Sequence, residues 1–524
     1  MASRRDELNA YTFARKRMVG AFLQPGGGGN DEDAPRPIRA VLPSFVIGAV
    51  IVAGFGMWGV IKPSAPPNWD NGKFILQGKS STTRYVILPD PTNGNKPTLH
   101  QVLNMSSARL VLSEGATVQT VADDVLDKYP RRGAAIGIPY APDKLPKGDD
   151  AGTTKLWSVC DKKGQDNLPS TIAQSVFVAA GADVKTLQAP DRMLGDGQSL
   201  FVQQPDLPGR PGSMYLVDNR GVKHAVGVLD TSDTDRRSLV TALFGSDAVP
   251  QRVTNEWLDT LENGDPVEFP RIEGIAAKRP ANSGLELSQP EEKKVGRVMK
   301  FQDNTFYAVG ASKLYQITEF QANLMLNDPN VQEAAYGGPP AMGDLGAGDI
   351  SKLQSKISKE LMERSKNLPT QKSPAVNVTG KTPRTVICST FTGYENNQIK
   401  RTVWASTAYP ADIATDSVSA HVTPGHGLLY RALDGNGGDD GSGSDFLITD
   451  SGLRYSLPAN SDGGNGGASA SPNPQGGEKK GTNESQVRLG YKSVNPQKVP
   501  IVWSKLVPAG PVLNTNTALQ AQNA

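Results

Sequence analysis

The sequence predicts a bitopic membrane protein. A single N-terminal transmembrane helix is expected in front of an elongated α+β extracytoplasmic domain of four hairpin-helix repeats around a central strand-rich core. Three observations predict this class: one long uncharged run, a recurring twelve-residue strand-turn-strand frame, and two widely separated cysteines in apolar segments. The chain has 524 residues, which exceeds the usual size of one hydrophobic core, so we expect several folded regions.

The membrane prediction rests on residues 40–61. Val41 to Ile61 carries no charge, and Arg39 and Lys62 bracket the run. A helix of this length reaches about 30 Å, which matches the hydrocarbon thickness of a bilayer. A cleaved signal peptide and a buried core helix are the alternatives. Both fit less well, because a long segment precedes the run and because the run has no polar face.

Charge near the helix ends predicts its orientation. Arg36 and Arg39 precede the helix, and the positive side of such a segment tends to stay in the cytoplasm. We therefore expect a cytoplasmic N-terminus in the cell membrane, with residues 62–524 on the outer side. The net charge of the chain is only +2, so no nucleic-acid partner is expected.

Small residues predict a packing face on the membrane helix. Ala49 and Ala53 are four residues apart, and Gly56 follows one turn on. Such a stripe lets a second helix approach closely, although a stripe that faces lipid fits the same pattern.

The segment before the membrane helix predicts a partner-binding helix. Ser3 to Asp6 resembles a capping box, and apolar residues then recur at helical spacing beside a basic cluster. This amphipathic helix suits another protein or lipid headgroups, and a Gly-rich tether at 26–29 follows it. Its candidate contact residues are Leu8, Tyr11, Arg15, Met18 and Phe22.

A strand-turn-strand frame recurs in the remaining chain. It is clearest at 215–226 and 446–457, has Ser312 in place of glycine at 306–317, and has a longer turn between Tyr85 and Leu103. Helices are predicted after several frames, at 118–129, 237–244 and 254–261. Units this small must stack or dock to bury their faces.

Four strand-like segments near the two cysteines predict the central core, and the first and last repeats are then expected to be close in space. The segments are 155–160, 176–180, 384–391 and 401–405. Cys160 and Cys388 are predicted to form a disulfide between the two halves, the alternative being two unrelated buried thiols. Gly/Ser-rich tracts at 435–444 and 461–484 are expected to be mobile loops, or in the second case a segment that folds on binding.

These features give the following predicted boundaries. They are 1–39 for the cytosolic segment, 40–61 for the membrane helix, 62–150 for the first repeat, 151–200 and 380–430 for the two parts of the central core, 201–280 for the second repeat, 290–370 for the third, 440–510 for the fourth with its Gly/Ser-rich loop, and 511–524 for a C-terminal tail.

The chain carries no recognised catalytic motif, and no cofactor or metal is predicted. Gly72 to Ser80 comes near a P-loop but has one residue too many, which favours a strand and turn. His100 and His224 occupy the ring position of the frame and are expected to pack or form a hydrogen bond. His421 and His426 are expected on a loop without a zinc motif. The acid pairs at 123–124 and 291–292 are expected to be solvated surface.

Several motifs together resemble one known family. They are Arg5-Asp6-Glu7-Leu8-Asn9-Ala10-Tyr11, Leu99-His100-Gln101-Val102-Leu103-Asn104, Ser107-Ala108-Arg109-Leu110, Gly137-Ile138-Pro139-Tyr140-Ala141-Pro142, the cysteine pair, Asp450-Ser451-Gly452-Leu453-Arg454-Tyr455, Leu489-Gly490-Tyr491, Val499-Pro500 and Trp503. On these residues the chain resembles the EccB family, a membrane component of the actinobacterial type VII (ESX) secretion machinery.

The resemblance implies repeat domains around a core, a disulfide between distant parts, and assembly with the FtsK/SpoIIIE-type ATPase EccC, the channel-like EccD, and EccE where present. The family is often described as an ATPase, but this sequence has no Walker A motif to support that. We interpret the chain as a structural subunit that anchors the machinery in membrane lipid and self-associates through its outer domain. An extracytoplasmic nucleotidase with a non-classical site and an envelope-binding module are the two alternative interpretations.

Overall fold

The structure is a computed structural model that describes residues 3–23, 38–61, 65–275, 281–413, 420–434, 443–458 and 483–522. The predicted tether at 26–29 and nearly all of both Gly/Ser-rich tracts lie outside the described residues. The chain divides into two compact units. The first comprises Met1–Asn71, Leu76–Thr82 and Gln119–Pro130, and the second comprises Gly72–Ile75, Thr83–Val118 and Arg131–Ala524.

The first unit begins with two helices, α1 (Arg4–Leu23) and α2 (Ile38–Ile61). At the start of α1 the Asp6 carboxylate accepts a hydrogen bond from the Ser3 N–H, which agrees with the predicted capping box. In α2 the described side chains are those of Val41 and of residues 43–55. Among the residues described, no helix is both long enough and apolar enough to cross a membrane.

Six elements follow in chain order. They are β1 (Ile75–Gly78), β2 (Arg84–Asp90), β3 (Lys96–Val102), α3 (Met105–Val111), β4 (Val118–Val121) and α4 (Asp123–Asp127). β2 and β3 form an antiparallel hairpin. The predicted helix at 118–129 is wrong in its first half. The backbone there is extended, so the Val121 carbonyl accepts from the Lys79 N–H, and helix begins only at Asp123.

The next sheet along the chain, within residues 199–263, is called the second sheet. It is a three-stranded antiparallel meander with a short parallel strand at each edge. The elements leading into it are α5 (Gly148–Ala151), β5 (Leu156–Lys162), β6 (Ala173–Ala179) and α6 (Gly181–Leu187). Its own elements are β7 (Ser199–Gln203), β8 (Met214–Asp218), β9 (Val222–Ala225), α7 (Asp233–Phe244), β10 (Gln251–Arg252), α8 (Asn255–Asp259) and β11 (Glu262–Asn263). The strand order is β10-β7-β8-β9-β11. The predicted helices at 237–244 and 254–261 are confirmed as α7 and α8.

The third sheet has the same strand directions and order. Its elements are β12 (Val298–Phe301), β13 (Thr305–Val309), β14 (Leu314–Ile317), α9 (Glu319–Leu326), α10 (Pro329–Val331), β15 (Gly343–Asp344), α11 (Ala347–Leu353), β16 (Ile357–Ser358) and α12 (Glu360–Arg364). The order is β15-β12-β13-β14-β16, with parallel strands again at both edges. Thr318 and Gln321 form a capping box that begins α9 directly after the hairpin.

A central sheet joins two distant stretches of chain. The later stretch supplies β17 (Val386–Glu395), β18 (Gln398–Ser406) and β19 (Ala420–Val422). The strand order is β18-β17-β5-β6-β19, so the four strand-like segments predicted from the sequence do form one sheet. The first six residues of β5 and of β17 are buried on both faces of the sheet, and they include the polar residues Ser158, Asp161, Ser389 and Thr390.

The last sheet follows the central one. Its elements are β20 (Leu428–Leu433), β21 (Ser444–Ile448), β22 (Arg454–Leu457), α13 (Glu484–Arg488), β23 (Gln497–Pro500) and α14 (Ile501–Ser504), with α15 (Thr515–Ala518) near the end of the chain. The order is β22-β21-β20-β23. A bridge from Arg454 to Ala509 adds a parallel partner beside β22. The described residues therefore form an α+β protein with several sheets.

The region around α3 packs against the last sheet, which confirms that opposite ends of the domain are close in space. The Arg109 guanidinium donates to the Leu489 carbonyl, and Arg488 donates to the carbonyls of Leu110 and Leu112. Side chains from both regions share one apolar cluster, including Val86, Leu110, Leu447, Tyr455, Leu489 and Tyr491.

The final described residues close onto the same region. Leu513 and Ala518 are buried in the shared cluster. Ala521 pairs with Ile136, and the Gln522 side chain donates to the Gly137 carbonyl at 2.7 Å. Residues 513–522 thus belong to the folded body.

Candidate functional site

The disulfide lies at the middle of the central sheet. Cys160 on β5 and Cys388 on β17 are direct neighbours across the antiparallel pair, and their sulfurs are bonded. Both residues are fully buried. The bond spans 228 residues of sequence, which include the second and third sheets. The predicted disulfide is therefore confirmed.

The two faces of the central sheet bury different side chains. Because residues alternate along a strand, Trp157 and Val159 point into one cluster while Cys160 points into the other. The first cluster also contains Trp257 of α8 and Trp503 of α14. The central sheet is thus the body on which the second and last sheets pack.

A buried carboxylate fixes the second sheet to the central one. Asp161 on β5 is fully buried and accepts hydrogen bonds from the Thr254 N–H and hydroxyl, at 2.7 and 2.8 Å, and from the Gln174 amide. Thr254 is also the N-cap of α8. Burial raises the pKa of Asp161 to about 6, although these hydrogen bonds act in the opposite direction.

The candidate contact residues of α1 are exposed. Leu8, Tyr11, Met18 and Phe22 are 66 to 88% exposed, and Arg15 is exposed beside them. Apolar side chains left this open on a 20-residue helix are what a partner or a lipid surface requires.

The small-residue stripe lies on α2. Ala49 and Ala53 are exposed, and Gly56 is within the same helix. The large apolar neighbours are equally open, with Phe45 80% and Val52 72% exposed.

The segment that resembles a P-loop forms a strand and turn. Ser80 and Ser81 direct their N–H groups at the Asp123 carboxylate, and the Ser81 hydroxyl donates to it as well. These hydrogen bonds, from the Ser81 hydroxyl foremost, lower the pKa of Asp123. A carboxylate of the chain itself therefore satisfies donors that a nucleotide-binding loop would offer to phosphate. Asp123 is partly exposed and Asp124 is exposed, in agreement with the predicted surface position, and Asp123 also accepts hydrogen bonds from this turn.

The ring position of the frame has a packing role. His100 and His224 each place Nδ1 within 2.9 Å of a backbone carbonyl, of Ala134 and Asp265 respectively, which confirms the predicted hydrogen bond. Each ring also packs against a glycine, Gly133 for His100 and Gly264 for His224.

A Cβ on either glycine would lie within 2.5 Å of the histidine ring. Tyr455 packs in the same way against Gly510. In each case the glycine directly follows the short parallel strand or bridge that pairs with the last strand of the hairpin. This glycine is a sequence signal that lies outside the twelve-residue frame.

The other two histidines each face one carboxylate. His421 lies in β19 rather than on a loop, because residues 420–422 pair with β6, and its Nε2 is 3.6 Å from Asp183. His426 Nδ1 is 2.6 Å from the Asp150 carboxylate. Burial acts to raise the pKa of Asp150, but hydrogen bonds from His426, Gly427 and Lys155 hold it below its ordinary value. Within the described residues there is no group of three or more side chains suited to a metal ion.

In the second acid pair Glu291 is exposed as predicted, whereas the prediction is wrong for Glu292. Glu292 is only 7% exposed, and its carboxylate lies 3.2 Å from the Arg297 guanidinium. Arg297 in turn stacks over the Tyr336 ring at 4.4 Å. Arg297 lies a few residues after the acid pair and Tyr336 lies well beyond it, so the two acids alone do not reveal this environment.

The fold and these surfaces define a class: a multi-sheet α+β subunit closed by a buried disulfide, with apolar helices exposed at its N-terminal end. Comparison with known proteins supports this class. A solved chain from "Structure of an intact ESX-5 inner membrane complex" matches with a TM-score of 0.57 at 18% identity, over 100% of this chain and 96% of that one. A chain from "Structure of EccB3 dimer from the ESX-3 core complex" matches with a TM-score of 0.54 at 22% identity, over 86% and 100%.

Sequence relatives indicate the particular family. The "ESX-3 secretion system ATPase EccB3" of Mycobacterium tuberculosis is 26% identical over 507 residues, which cover 93% of this chain and 83% of the relative. The "ESX-1 secretion system ATPase EccB1" of the same species is 24% identical over 343 residues, covering 64% and 63%. The family described as "Type VII secretion system ESX-1, transport TM domain B" matches residues 1–524. The chain belongs to this family, the EccB family.

Proposed function

We propose that this chain is a structural subunit of a type VII secretion membrane complex. It anchors the complex and helps to assemble it through its extracytoplasmic domain. The observation that carries the proposal is the family match along all 524 residues. The exposed helices and the disulfide-closed body of sheets are consistent with a scaffold, because both serve attachment rather than chemistry.

The membrane anchor in this proposal is α2. The uncharged run from Val41 to Ile61 has the length that a bilayer requires, and the described apolar side chains of α2 are exposed. Lys and Arg before the run favour a cytoplasmic N-terminus, which puts the sheets outside. The two cysteines support that side of the membrane, because disulfides persist in oxidising compartments.

In the same proposal, the two helices supply the contacts within the membrane complex. The α1 face formed by Leu8, Tyr11, Arg15, Met18 and Phe22 docks on a cytosolic partner. The stripe of Ala49, Ala53 and Gly56 lets a neighbouring helix approach α2 closely, because small residues bring two backbones together. The expected partners are the EccC-type ATPase, EccD and EccE.

The extracytoplasmic domain is proposed to consist of four related units. The second and third sheets share one strand order, and the last sheet has the same meander with a parallel edge strand. In the N-terminal region, β3 carries a parallel bridge from Leu99 to Arg132 that resembles the bridge from Arg454 to Ala509. Repeated units of this kind expose similar surfaces, which suits association between copies of the chain.

Mild detergent extraction followed by affinity purification of the full chain tests the proposal. The other secretion subunits should be recovered at fixed ratios, together with more than one copy of this chain. Recovery of a lone single copy under conditions that preserve other membrane complexes would refute the scaffold role. Protection of residues beyond 65 from external protease in intact cells would refute the orientation.

A nucleotidase is the second candidate, because the EccB3 and EccB1 relatives are named as secretion system ATPases. In this chain the Gly72–Ser80 segment directs two backbone donors to Asp123 rather than leaving them open. We expect any nucleotide turnover in purified protein to be unchanged by Lys79→Ala. Turnover that survives purification and is lost in this variant would instead favour the enzyme.

A further inference from the structure

One turn of the chain presents an aromatic ring in a way that folding does not explain. The Ala141 N–H donates to the Ile138 carbonyl, which closes a turn with Pro139 and Tyr140 at its centre. Tyr140 has a φ of +61°, in the left-handed region that favours glycine. Its side chain is nevertheless 89% exposed. The position therefore combines an unfavourable backbone with a ring that gains little from burial.

Hydrogen bonds from buried polar side chains hold this turn in place. Asn104, Ser106 and Ser107 are all buried. The Asn104 amide donates to the Ile138 carbonyl, the Ser107 hydroxyl accepts from the Ile138 N–H, and the Ser106 hydroxyl donates to the Pro142 carbonyl. A ring on so fixed a support loses little entropy when it is bound.

The surroundings of Tyr140 carry both signs of charge and further apolar surface. Arg84 and Asp143 form an ion pair of 2.7 Å, in which the Asp143 carboxylate is 54% exposed. The next residue, Lys144, is 73% exposed and forms an ion pair of 3.1 Å with Asp450. Leu103 packs beside Gly137 and remains 43% exposed. A surface with adjacent acidic and basic groups around one aromatic ring can complement a copy of itself across a two-fold axis.

From this geometry we propose that the Tyr140 turn is a contact surface for a second copy of this chain. Tyr140 is the anchor of that contact. The exposed Asp143 and Lys144 side chains, which are ion-paired with Arg84 and Asp450 within one copy, turn in the contact to Lys144 and Asp143 of the other copy. Tyrosine is a residue type that often dominates binding at such interfaces. The inference rests on the self-association in the proposed function and adds the surface that makes it.

Photo-crosslinking in native membranes tests the occupant directly. A benzoylphenylalanine at position 140 of the full chain should give a crosslinked product at twice the chain mass after illumination. The matched control places the same probe at Leu229, a large apolar residue that is 80% exposed, and should give no such product. A product of another mass, a lipid adduct or no product at position 140 would overturn the proposal.

A substitution separates binding from folding. Tyr140→Gly relieves the left-handed backbone, so its thermal stability should equal or exceed that of the wild type. Its dissociation constant for self-association, measured by mass photometry of detergent-solubilised chain, should rise at least tenfold. Tyr140→Phe keeps the ring and should restore most of the affinity, and Leu229→Gly should not change it.

The outcomes separate this inference from the scaffold role. Wild-type chain that self-associates, with Tyr140→Gly equally associated, overturns the Tyr140 surface and leaves the scaffold role intact. Wild-type chain that is monomeric in membranes and in detergent overturns both self-association and this surface.

Discussion

Apolar side chains are buried in the central sheet and exposed on α1. In β5 and β17, Trp157 and Ile387 are fully buried, whereas on α1 Tyr11 and Phe22 are 71% and 88% exposed. Burial of apolar area is the main favourable term in folding, so the sheet is stabilised by the chain itself. The apolar side chains of α1 contribute no comparable free energy until another molecule covers them. The central sheet thus stabilises the fold, whereas α1 is proposed to serve assembly.

The largest expected effect is loss of the disulfide. Cys160→Ala combined with Cys388→Ala removes a crosslink that closes a loop of 228 residues. The chain-entropy account gives about 5 kcal/mol for a loop of this size. The denaturant midpoint of the purified chain should fall strongly, while co-purification of partners through α1 should persist at temperatures where the variant stays folded. An unchanged midpoint would show that the sheet does not depend on the bond.

A smaller loss is expected where α3 meets the last sheet. Arg488→Ala removes two hydrogen bonds to the carbonyls of Leu110 and Leu112 and leaves those carbonyls without their charged donor. We expect a loss of about 3 kcal/mol in the free energy of unfolding. Lys492→Ala breaks an exposed ion pair with Glu114 in the same region and should cost under about 1 kcal/mol. Equal effects of the two substitutions would contradict the importance of the buried contact.

The third prediction concerns pH. Between about pH 4 and pH 6 the native chain binds a proton at Asp161 more tightly than the unfolded chain does, because burial raises the pKa of this group to about 6. The free energy of unfolding should therefore fall as pH rises through this window, by at most about 1.4 kcal/mol per pH unit, and this contribution should be constant above it.

Asp161→Asn should flatten this part of the profile, measured by denaturant unfolding at each pH. Asp166→Asn, which changes an exposed carboxylate a few residues on, serves as the control and should keep the slope. A pH profile that is the same in the wild type and in Asp161→Asn would exclude a raised pKa at Asp161.

The smallest effect on stability is expected on α1. Tyr11→Ser with Phe22→Ser should change the free energy of unfolding by less than about 0.5 kcal/mol, because both side chains are already exposed. The same double variant should recover much less of the other secretion subunits after mild extraction. Unfolding of the variant would contradict the small effect on stability. Undiminished recovery of the other subunits would contradict the role of α1 in assembly.

Local patterns were sufficient to predict the hairpins and the central strands. The frames at 215–226 and 446–457 place a glycine at the turn, and Gly221 and Gly452 do have positive φ values of 78° and 75°. The segments around the cysteines are rich in apolar residues, which is typical of strands that are buried on both faces. In these segments the sequence signal and the tertiary environment agree.

Other features have no local signal. β11 and β16 are two residues long and are defined only by the strands they join, so no periodicity can reveal them. Glu292 is an ordinary surface acid in sequence and is buried because Arg297 lies beside it. The left-handed Tyr140 runs against the residue preference of its turn, and only the structure reveals it.

The pairing of Ile136 with Ala521 has a consequence for biosynthesis. The two ends of this contact are far apart in the order of synthesis, since Gln522 bonds to a carbonyl 385 residues earlier. The cluster that holds Leu110 and Ile136 is incomplete until Leu513 and Ala518 have been made. A polypeptide that ends before these residues exposes the apolar side chains of this cluster. Exposed apolar surface is the feature that chaperones and proteases recognise. The contact therefore distinguishes a polypeptide that extends through Ala518 from a shorter one.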